Sequence, residues 1–125
     1  MKGERDIVDE LYRCRIWIEN ALEYSGGTHL YSDIVRSVLN YEMQLWSSKD
    51  SCIVTEFVNF PRKRFLHVFL CGGNMGAILD MQPAIVEFAK TNGCDGLTSA
   101  GRPGWERVLG KTDWHFTHLA LTREF

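Results

Sequence analysis

The 125-residue sequence lacks any run of apolar residues long enough to cross a bilayer as a helix. Its start also lacks the apolar core of a signal peptide, because Met1 leads directly into charged residues from Lys2 to Asp6. We therefore expect a cytoplasmic protein that has no membrane partner.

Cysteine pairs with the spacing of a metal site are also missing. The four cysteines, Cys14, Cys52, Cys71 and Cys94, are scattered and form no Cys-x-x-Cys pair. A disulfide framework would need an oxidising compartment, so reduced core thiols are the better interpretation.

The histidines give no metal site either. His115 and His118 lie three residues apart in a predicted strand, where such side chains face opposite sides of the sheet. The two rings therefore cannot share one ion, and we expect no metal.

The sequence has little excess charge of either sign. Its formal net charge is −2, and Lys and Arg are dispersed except for the run 62–64, which is typical of a charged hairpin tip. Nucleic-acid-binding domains usually carry a basic face or stripe, so we expect no nucleic-acid partner.

Apolar residues, by contrast, are plentiful. The hydrophobic fraction is 45% and there are four tryptophans, which favours a packed globule over a disordered chain. The length is near that of one domain, and we predict a single domain over residues 1–125.

The first third of the chain has a helical period. Apolar residues recur at three- and four-residue steps over residues 6–24, and Tyr24–Gly27 ends that predicted helix. Ser32 is predicted to cap a second helix, with Asp33 favouring its positive end.

From Met43 onward the pattern changes to that of strands. We predict strands over Met43–Ser47 and Cys52–Phe60, joined by a turn, and a further strand over Phe65–Cys71 after the turn Pro61–Arg64. Phe65–Cys71 is apolar on both alternating faces except for His67. It is therefore predicted to be the central strand, with neighbours on both sides and mostly buried side chains.

A glycine-rich turn, Gly72–Gly76, follows this strand and opens a helix that runs to about Thr91. Pro83 fits only in the first turn of that helix, which makes Asp80 the predicted cap and the residues before it a loop or a separate turn. We then predict a strand at Gly96–Ala100, a helix at Arg102–Leu109 and a final strand at Trp114–Arg123, the elements of the last third of the chain.

This order of elements resembles the GCN5-related N-acetyltransferase (GNAT) fold, and the chain is similar to small GNAT-like proteins encoded by bacteriophages and prophages. The segments that carry the resemblance are Met43-Gln44-Leu45-Trp46, Thr55-Glu56, Phe60-Pro61, Gly72-Gly73, Gly93-Cys94-Asp95 and Gly101-Arg102-Pro103-Gly104-Trp105. The resemblance implies an α/β fold with a mixed, mostly antiparallel central sheet flanked by helices on both faces.

The resemblance also implies acetyl-CoA as the cofactor. In GNAT proteins the amides of the glycine loop hold the pyrophosphate of coenzyme A, and Arg102 is placed to meet a phosphate. The implied cofactor-binding residues are Gly72, Gly73, Asn74, Met75, Gly76 and Arg102. A tight strand-to-helix turn explains the glycines equally well, and Arg102 can instead be solvated or paired with a carboxylate.

Two residues are candidates for the base that deprotonates an amine. Glu56 lies among apolar residues of a predicted strand, where burial raises the pKa of a carboxylate. His67 lies on the predicted central strand. The alternatives are a paired or edge-facing glutamate and a hydrogen-bonded core histidine.

The sequence departs from the GNAT pattern in three places. Residues 1–6 are too short and polar to supply the usual first strand, and the loop keeps only an approximate Gly-x-x-Gly-Ala. Leu109 stands where many members have a tyrosine that acts as a general acid toward the leaving thiolate. Two functions therefore stay open. One is an acyl-CoA-dependent N-acyltransferase acting on an unknown amine. The other is a catalytically inactive phage virion component, assembly factor or host-protein binder, located in the host cytoplasm or the virion.

Overall fold

The computed structural model of the chain describes residues 4–100, 113–118 and 120–125. The elements within these residues are α1 (Glu4–Arg13), α2 (Arg15–Leu22), α3 (Tyr31–Leu39), β1 (Gln44–Ser48), β2 (Ser51–Asn59), β3 (Arg64–Gly73), α4 (Met75–Asp80), α5 (Gln82–Thr91) and β4 (Gly96–Ser99). The predicted helix Arg102–Leu109, the turn that contains Trp105 and the proposed cofactor residue Arg102 lie outside the described residues.

The four strands form one mixed sheet in the order β1-β2-β3-β4. The pairs β1/β2 and β2/β3 are antiparallel, whereas β4 pairs with β3 in parallel. Strand β3 therefore has a neighbour on each side, as its two-faced apolar sequence predicts. Leu66 and Leu70 are its buried side chains, and most of the others are half-buried, so it is less enclosed than predicted.

Helices cover both faces of this sheet, as predicted. Helices α1–α3 pack on one face, and the buried residues of that cluster are Leu11, Cys14, Ile18, Leu22, Ile34, Val38, Met43, Cys52, Val54 and Leu70. Helices α4 and α5 pack on the other, around Ile53, Leu66, Ile78, Ile85 and Ala89. The two clusters take alternate residues of β2, because successive side chains of a strand point to opposite faces.

Two predictions about the first helices are wrong in detail. The segment 6–24 forms two helices that meet at Cys14, rather than one. Ser32 does not cap α3, because the helix begins earlier: Leu30 is the N-cap, and the amide of Leu30 donates to the carboxylate of Asp33 at 2.8 Å. Asp33 satisfies one of the free amides at the helix start, which is the function predicted for Ser32.

The segment around Pro83 is helical on both sides of a break. Pro83 lies in the first turn of α5, as predicted, where its missing amide costs nothing. The cap of α5 is Met81 rather than Asp80, and the residues before it form the short helix α4 rather than a loop. Asp80 is the last residue of α4 and is not available as a cap.

The last third of the chain gives one confirmed strand and one that is wrong. The strand predicted at Gly96–Ala100 is β4, Gly96–Ser99. The strand predicted at Trp114–Arg123 is absent from residues 113–118 and 120–125, most of whose side chains are exposed. Those residues are not paired with the sheet, and β propensity alone does not form a strand without a partner.

The β1–β2 turn is held against helix α1 by one side chain. The guanidinium of Arg13 donates to the main-chain oxygens of Ser48 and Lys49 at 2.8 and 3.0 Å, and it pairs with Glu10 at 2.9 Å. The carboxylate of Glu10 also accepts from the hydroxyl of Ser47 at 2.6 Å. This turn is therefore fixed from the helical side, which matters for the glycines that pack on it.

Two thiols meet inside the α1–α3 layer. Cys14 and Cys52 are both fully buried, and no disulfide is present. A hydrogen bond with Cys14, together with burial, raises the pKa of the Cys52 thiol above its ordinary value. Both residues act as small core side chains, in agreement with the prediction of reduced thiols.

Neither a membrane span nor a metal cluster is found in the described part of the chain. None of its helices is long and apolar enough to cross a bilayer. No group of three or more potential metal ligands occurs among the same residues.

Candidate functional site

Strand β4 pairs with β3 along its whole length and ends well before β3 does. At the start of both strands, the main-chain amide of Arg64 donates to the carboxylate of Asp95 at 2.9 Å, and the amide of Asp95 donates to the oxygen of Arg64 at 2.7 Å. The parallel pairing then runs from Phe65 opposite Gly96 to Val68 opposite Ser99. Beyond Ser99, the described residues supply no strand on this side of β3.

Strand β3 contains a bulge just past the last residue that pairs with β4. Val54 pairs with Leu70 while its neighbour Thr55 pairs with Val68, so Phe69 is an extra residue without a partner on β2. A bulge bends its strand and increases the local twist. Past this bulge, the second half of β3 continues without a described strand on its β4 side.

A cavity of about 110 Å³ lies beside the second half of β3, next to the end of β4. Residues from both helical layers reach it: Ala21, Tyr24 and Ser25 from the α1–α3 side, and Ile78, Leu79, Gln82 and Ile85 from the α4–α5 side. Its strand walls are Ile53, Val68, Phe69, Leu70, Cys71, Leu97 and Ser99, with Ala100 and Trp114. Side chains of the two helical layers can meet at one cavity only where no strand lies between them.

The described lining of this cavity is mostly apolar and includes no charged residue. Gln82, Ser99, Ser25 and the hydroxyl of Tyr24 are the polar side-chain groups that line it. Apolar walls with a few placed polar groups are typical of a small-molecule site, and they suit a ligand with a long, uncharged arm.

A second, more polar cavity of about 350 Å³ adjoins the first. Both are lined by Ala21, Tyr24 and Cys71, and the second also contains Gly72 and Gly73 of the glycine turn. Among the described residues, Glu23 is the one charged side chain that lines it, and no described Lys or Arg lines either cavity. The glycine turn is therefore next to the cleft, and the described residues around it supply no cation for a phosphate.

The first two glycines of the turn are required by close packing within the chain. A Cβ on Gly73 would lie 2.2 Å from the main-chain oxygen of Asp50, and Gly73 has a φ of +99°. A Cβ on Gly72 would lie 2.9 Å from the Cβ of Trp17. A side chain at either position would displace backbone, so the alternative of a tight strand-to-helix turn accounts for both.

The rest of the glycine turn is held by its own hydrogen bonds. The amide of Asn74 donates to the oxygen of Asp50 at 2.9 Å, and the side chain of Asn74 accepts from the amide of Ala77 at 3.0 Å. Met75 and Gly76 are exposed at the start of α4, and together with Asn74 they line neither cavity. The amide of Asn74, which was predicted to help hold a pyrophosphate, is therefore already bonded within the chain.

The two candidate bases lie together on the sheet. Glu56 of β2 is directly opposite His67 of β3, and His67 is opposite Thr98 of β4. Nδ1 of His67 lies 2.9 Å from the hydroxyl of Thr98. Burial lowers the pKa of His67, and the negative charge of Glu56 acts in the opposite direction. The imidazole is therefore neutral at pH 7 and is able to accept a proton.

Neither base lines the cavity, but His67 directly precedes a residue that does. Val68, the next residue, is both the last paired residue of β3 and part of the cavity wall. Sequence reasoning found His67 and the glycine turn but missed the bulge at Phe69 and the partner Thr98. No signal in the run Phe65–Cys71 marks the bulge, because every residue around it is apolar.

No protein-family model matches the chain, and no curated protein matches it in sequence. Solved structures do match in three dimensions. A transcriptional regulator from Bacillus halodurans C-125 aligns with a TM-score of 0.62 at 13% identity, covering 76% of this chain and 75% of that one. A mutant of the protein TTHA1254 from Thermus thermophilus aligns with a TM-score of 0.58 at 15% identity, covering 79% and 83%.

A third solved structure agrees with these two. It is a tetramutant of the BH1408 protein from Bacillus halodurans, with a TM-score of 0.54, 14% identity and coverage of 75% and 76%. These neighbours have GNAT-like folds. The fold of this chain is GNAT-like. The resemblance to phage-encoded proteins, in contrast, stays a prediction.

Proposed function

We propose that the cleft between β3 and β4 binds the arm of an acyl thioester such as acetyl-CoA, and that the protein transfers the acyl group to an amine. The observation that carries this proposal is an apolar cavity that reaches both helical layers where β4 ends, beside the Phe69 bulge of β3. Ser99 and Gln82 are the polar lining groups available to a pantetheine amide.

The main chain of β3 supports the same use. The pairing of β3 with β4 stops at Val68, and the next main-chain groups of β3 border the gap. An amide aimed into a water-poor cleft stabilises the oxygen of a thioester carbonyl as negative charge develops on it. In the proposed site, β3 would supply both a wall for the arm and a main-chain donor for the reacting group.

His67 is the base that this site favours. In the reaction, the amine nitrogen forms a bond to the carbonyl carbon, the bond from carbon to sulfur breaks, and the thiolate takes a proton from water. The neutral imidazole accepts the proton that the amine loses, directly or through one water. Thr98 orients the ring, and Glu56 stabilises the imidazolium that forms.

A second function is favoured by the charges around the glycine turn. Glu23 is nearby, no Lys or Arg of the described residues lines either cavity, and the amide of Asn74 is already bonded to Asp50. These features fit the phosphates of coenzyme A poorly. They favour a GNAT-like protein that has lost catalysis and binds phage structural proteins or host proteins instead.

Thermal unfolding with and without acetyl-CoA tests the first proposal. A ligand that binds only the folded state must raise the melting temperature, by the equivalent of about 2.7 kcal/mol at a hundred times its Kd. Ser99→Trp would fill the gap and should weaken binding at least about tenfold, measured by calorimetry. Ser32→Trp is the matched control, because Ser32 is exposed on α3 away from the cleft.

The outcomes separate the two functions. Binding that Ser99→Trp removes and Ser32→Trp keeps, with thiol release from acetyl-CoA in the presence of amines, supports the acyltransferase. Thiol release should then fall on the acidic side of a pH profile, and His67→Gln should abolish that dependence. The same binding without thiol release favours the non-catalytic protein. No binding by wild type at millimolar acetyl-CoA would reject the thioester site.

A further inference from the structure

The turn between β2 and β3 contains three consecutive cations, Arg62, Lys63 and Arg64. The turn is closed by the amide of Phe60, which donates to the oxygen of Lys63 at 2.8 Å. Arg62 and Lys63 are exposed, and Arg64 is the first residue of β3. The three charges are therefore held at fixed places at one end of the sheet.

These three cations differ from several others in the chain, which are paired with carboxylates. The paired cations are Arg13 with Glu10, Arg15 with Glu19, Arg36 with Asp33 and Lys90 with Glu87. Within the described residues, no carboxylate forms an ion pair with Arg62, Lys63 or Arg64. Asp95 does approach Arg64, but its carboxylate accepts from the main-chain amide at 2.9 Å and not from the guanidinium. The described chain therefore supplies no counter-charge to this turn.

The guanidinium of Arg64 is positioned by an aromatic ring instead of an anion. Its central carbon lies 4.2 Å from the centre of the Phe57 ring, which is a cation–π distance. Its Nε is buried and has no hydrogen-bond partner. A buried N–H without an acceptor costs free energy, which an incoming oxygen would recover. Arg64 is therefore ready to form a two-pronged hydrogen bond with a carboxylate.

Protection of the sheet from edge pairing explains only part of this arrangement. Exposed charges at a hairpin tip discourage aggregation, and Arg62 and Lys63 would be sufficient for that purpose. The buried and unsatisfied Nε of Arg64 adds nothing to such protection. An anionic partner accounts for both the exposed charges and the unsatisfied nitrogen.

The form of the surface favours a protein as that partner. None of residues 60–64 lines either cavity, whereas small-molecule sites are concave. Nucleic-acid sites usually have a longer basic face or stripe, and the cations paired with carboxylates on α1, α2 and α3 do not extend this short run into one. Three adjacent charges fit a short run of Asp or Glu side chains.

We infer that the β2–β3 turn docks an acidic segment of a partner protein. One carboxylate of that segment pairs with the guanidinium of Arg64, and its neighbours meet Arg62 and Lys63. Complementary charge of this kind mainly speeds association and selects the partner, and it weakens as salt is added. The turn is separate from both cavities, so this docking does not depend on what the cleft binds.

Fluorescence anisotropy with labelled hexaglutamate as the probe tests this surface at low salt. Wild type should bind the peptide, and added salt should weaken the binding. Arg64→Lys keeps the charge but removes the fork, and it should raise the Kd at least about threefold. Lys49→Gln is the matched control, because Lys49 is an exposed cation in the β1–β2 turn, and its Kd should equal that of wild type.

A second variant separates binding from folding. Arg62→Gln combined with Lys63→Gln changes only exposed side chains, so its circular dichroism should match wild type while its Kd rises at least about fivefold. No binding of hexaglutamate by wild type at millimolar peptide would overturn the inference. So would equal losses in Lys49→Gln and in the double variant, unchanged binding by Arg64→Lys, or tighter binding of a hexathymidine oligonucleotide, which would point to nucleic acid.

Discussion

Strand β3 has two different edges. Toward β2 it is paired over the whole length of that strand, from Ser51 opposite Gly73 to Asn59 opposite Arg64, with the bulge accommodated inside the ladder. Toward β4 it is paired only from Phe65 to Val68. β3 is therefore covered along its length on the β2 side, whereas on the β4 side its second half has no described partner strand.

The difference follows from how each neighbour reaches β3. β2 is joined to β3 by a short turn in which the amide of Phe60 donates to the oxygen of Lys63 at 2.8 Å, so antiparallel pairing starts locally and extends. β4 returns only after the two helices α4 and α5 and is fixed at its start by Asp95. Local pairing covers β3 along the whole length of β2, whereas the crossover returns with a shorter strand that covers only Phe65–Val68.

The largest expected loss of stability comes from a substitution of Gly73, on the edge of β3 that pairs with β2. Gly73→Ala combines a positive φ with a Cβ placed 2.2 Å from the oxygen of Asp50, and that turn is fixed by Arg13. We expect it to lower the free energy of unfolding by about 3 kcal/mol or more, measured by urea denaturation.

Gly26→Ala is the control for this prediction. Gly26 also has a positive φ, of +75°, but nothing lies within 4 Å of its added Cβ. It should therefore cost only about 1 kcal/mol, the conformational part. Equal losses for the two variants would mean that the contact with the β1–β2 turn contributes nothing.

The prediction of intermediate size compares two leucines, Leu66 on β3 and Leu97 on β4, of which the second lines the cavity. Leu66 of β3 is fully buried, and Leu66→Ala should cost about 2–5 kcal/mol by leaving a cavity. Leu97 of β4 is half-buried and already borders a cavity, so Leu97→Ala should cost less than half as much. A loss at Leu97 that matches the loss at Leu66 would show that the β4 side is as closely packed as the β2 side.

The smallest expected effect concerns His67 and pH. Burial lowers the pKa of His67 in the folded state below its ordinary value of 6.5, so the unfolded chain binds a proton more readily. Stability from this residue is complete above about pH 6.5 and is lost as the pH falls toward the folded pKa. His67→Gln should therefore show a smaller decrease in melting temperature between pH 7 and pH 5 than wild type.

The exposed His118→Gln is the control for the removal of an imidazole. A decrease in His67→Gln as large as that of wild type would mean that His67 is not enclosed between β2 and β4.

Local patterns in the sequence were sufficient for most of the fold. Alternation and turn residues predict β1, β2 and β3, and the two-faced run Phe65–Cys71 predicts the central position of β3, because these signals act over neighbouring residues. The break at Cys14 and the early start of α3 at Leu30 were missed. At α3, the hydrogen bond between the amide of Leu30 and the carboxylate of Asp33, rather than periodicity, decides where the helix begins.

The candidate site was less predictable than the fold. The sequence indicates the glycine turn, but it does not show that Gly73 packs on Asp50, since that contact joins residues far apart in the chain. The gap depends on the bulge at Phe69 and on where β4 stops pairing, both of which are tertiary. His67 was a candidate from its position alone, and its contact with Thr98 needed the parallel strand to be placed.

The pair of thiols under the sheet has a practical consequence. Cys14 and Cys52 have no exposed surface, and the raised pKa of Cys52 keeps it as an unreactive thiol. An alkylating reagent can reach them only when the α1–α3 layer separates from the sheet, so their labelling rate reports how often that layer opens. Cys71 and Cys94, on the other hand, are partly exposed and are open to faster labelling. The labelling rates of Cys14 and Cys52 therefore measure how often this layer opens, and the rates of Cys71 and Cys94 serve as faster references within the same chain.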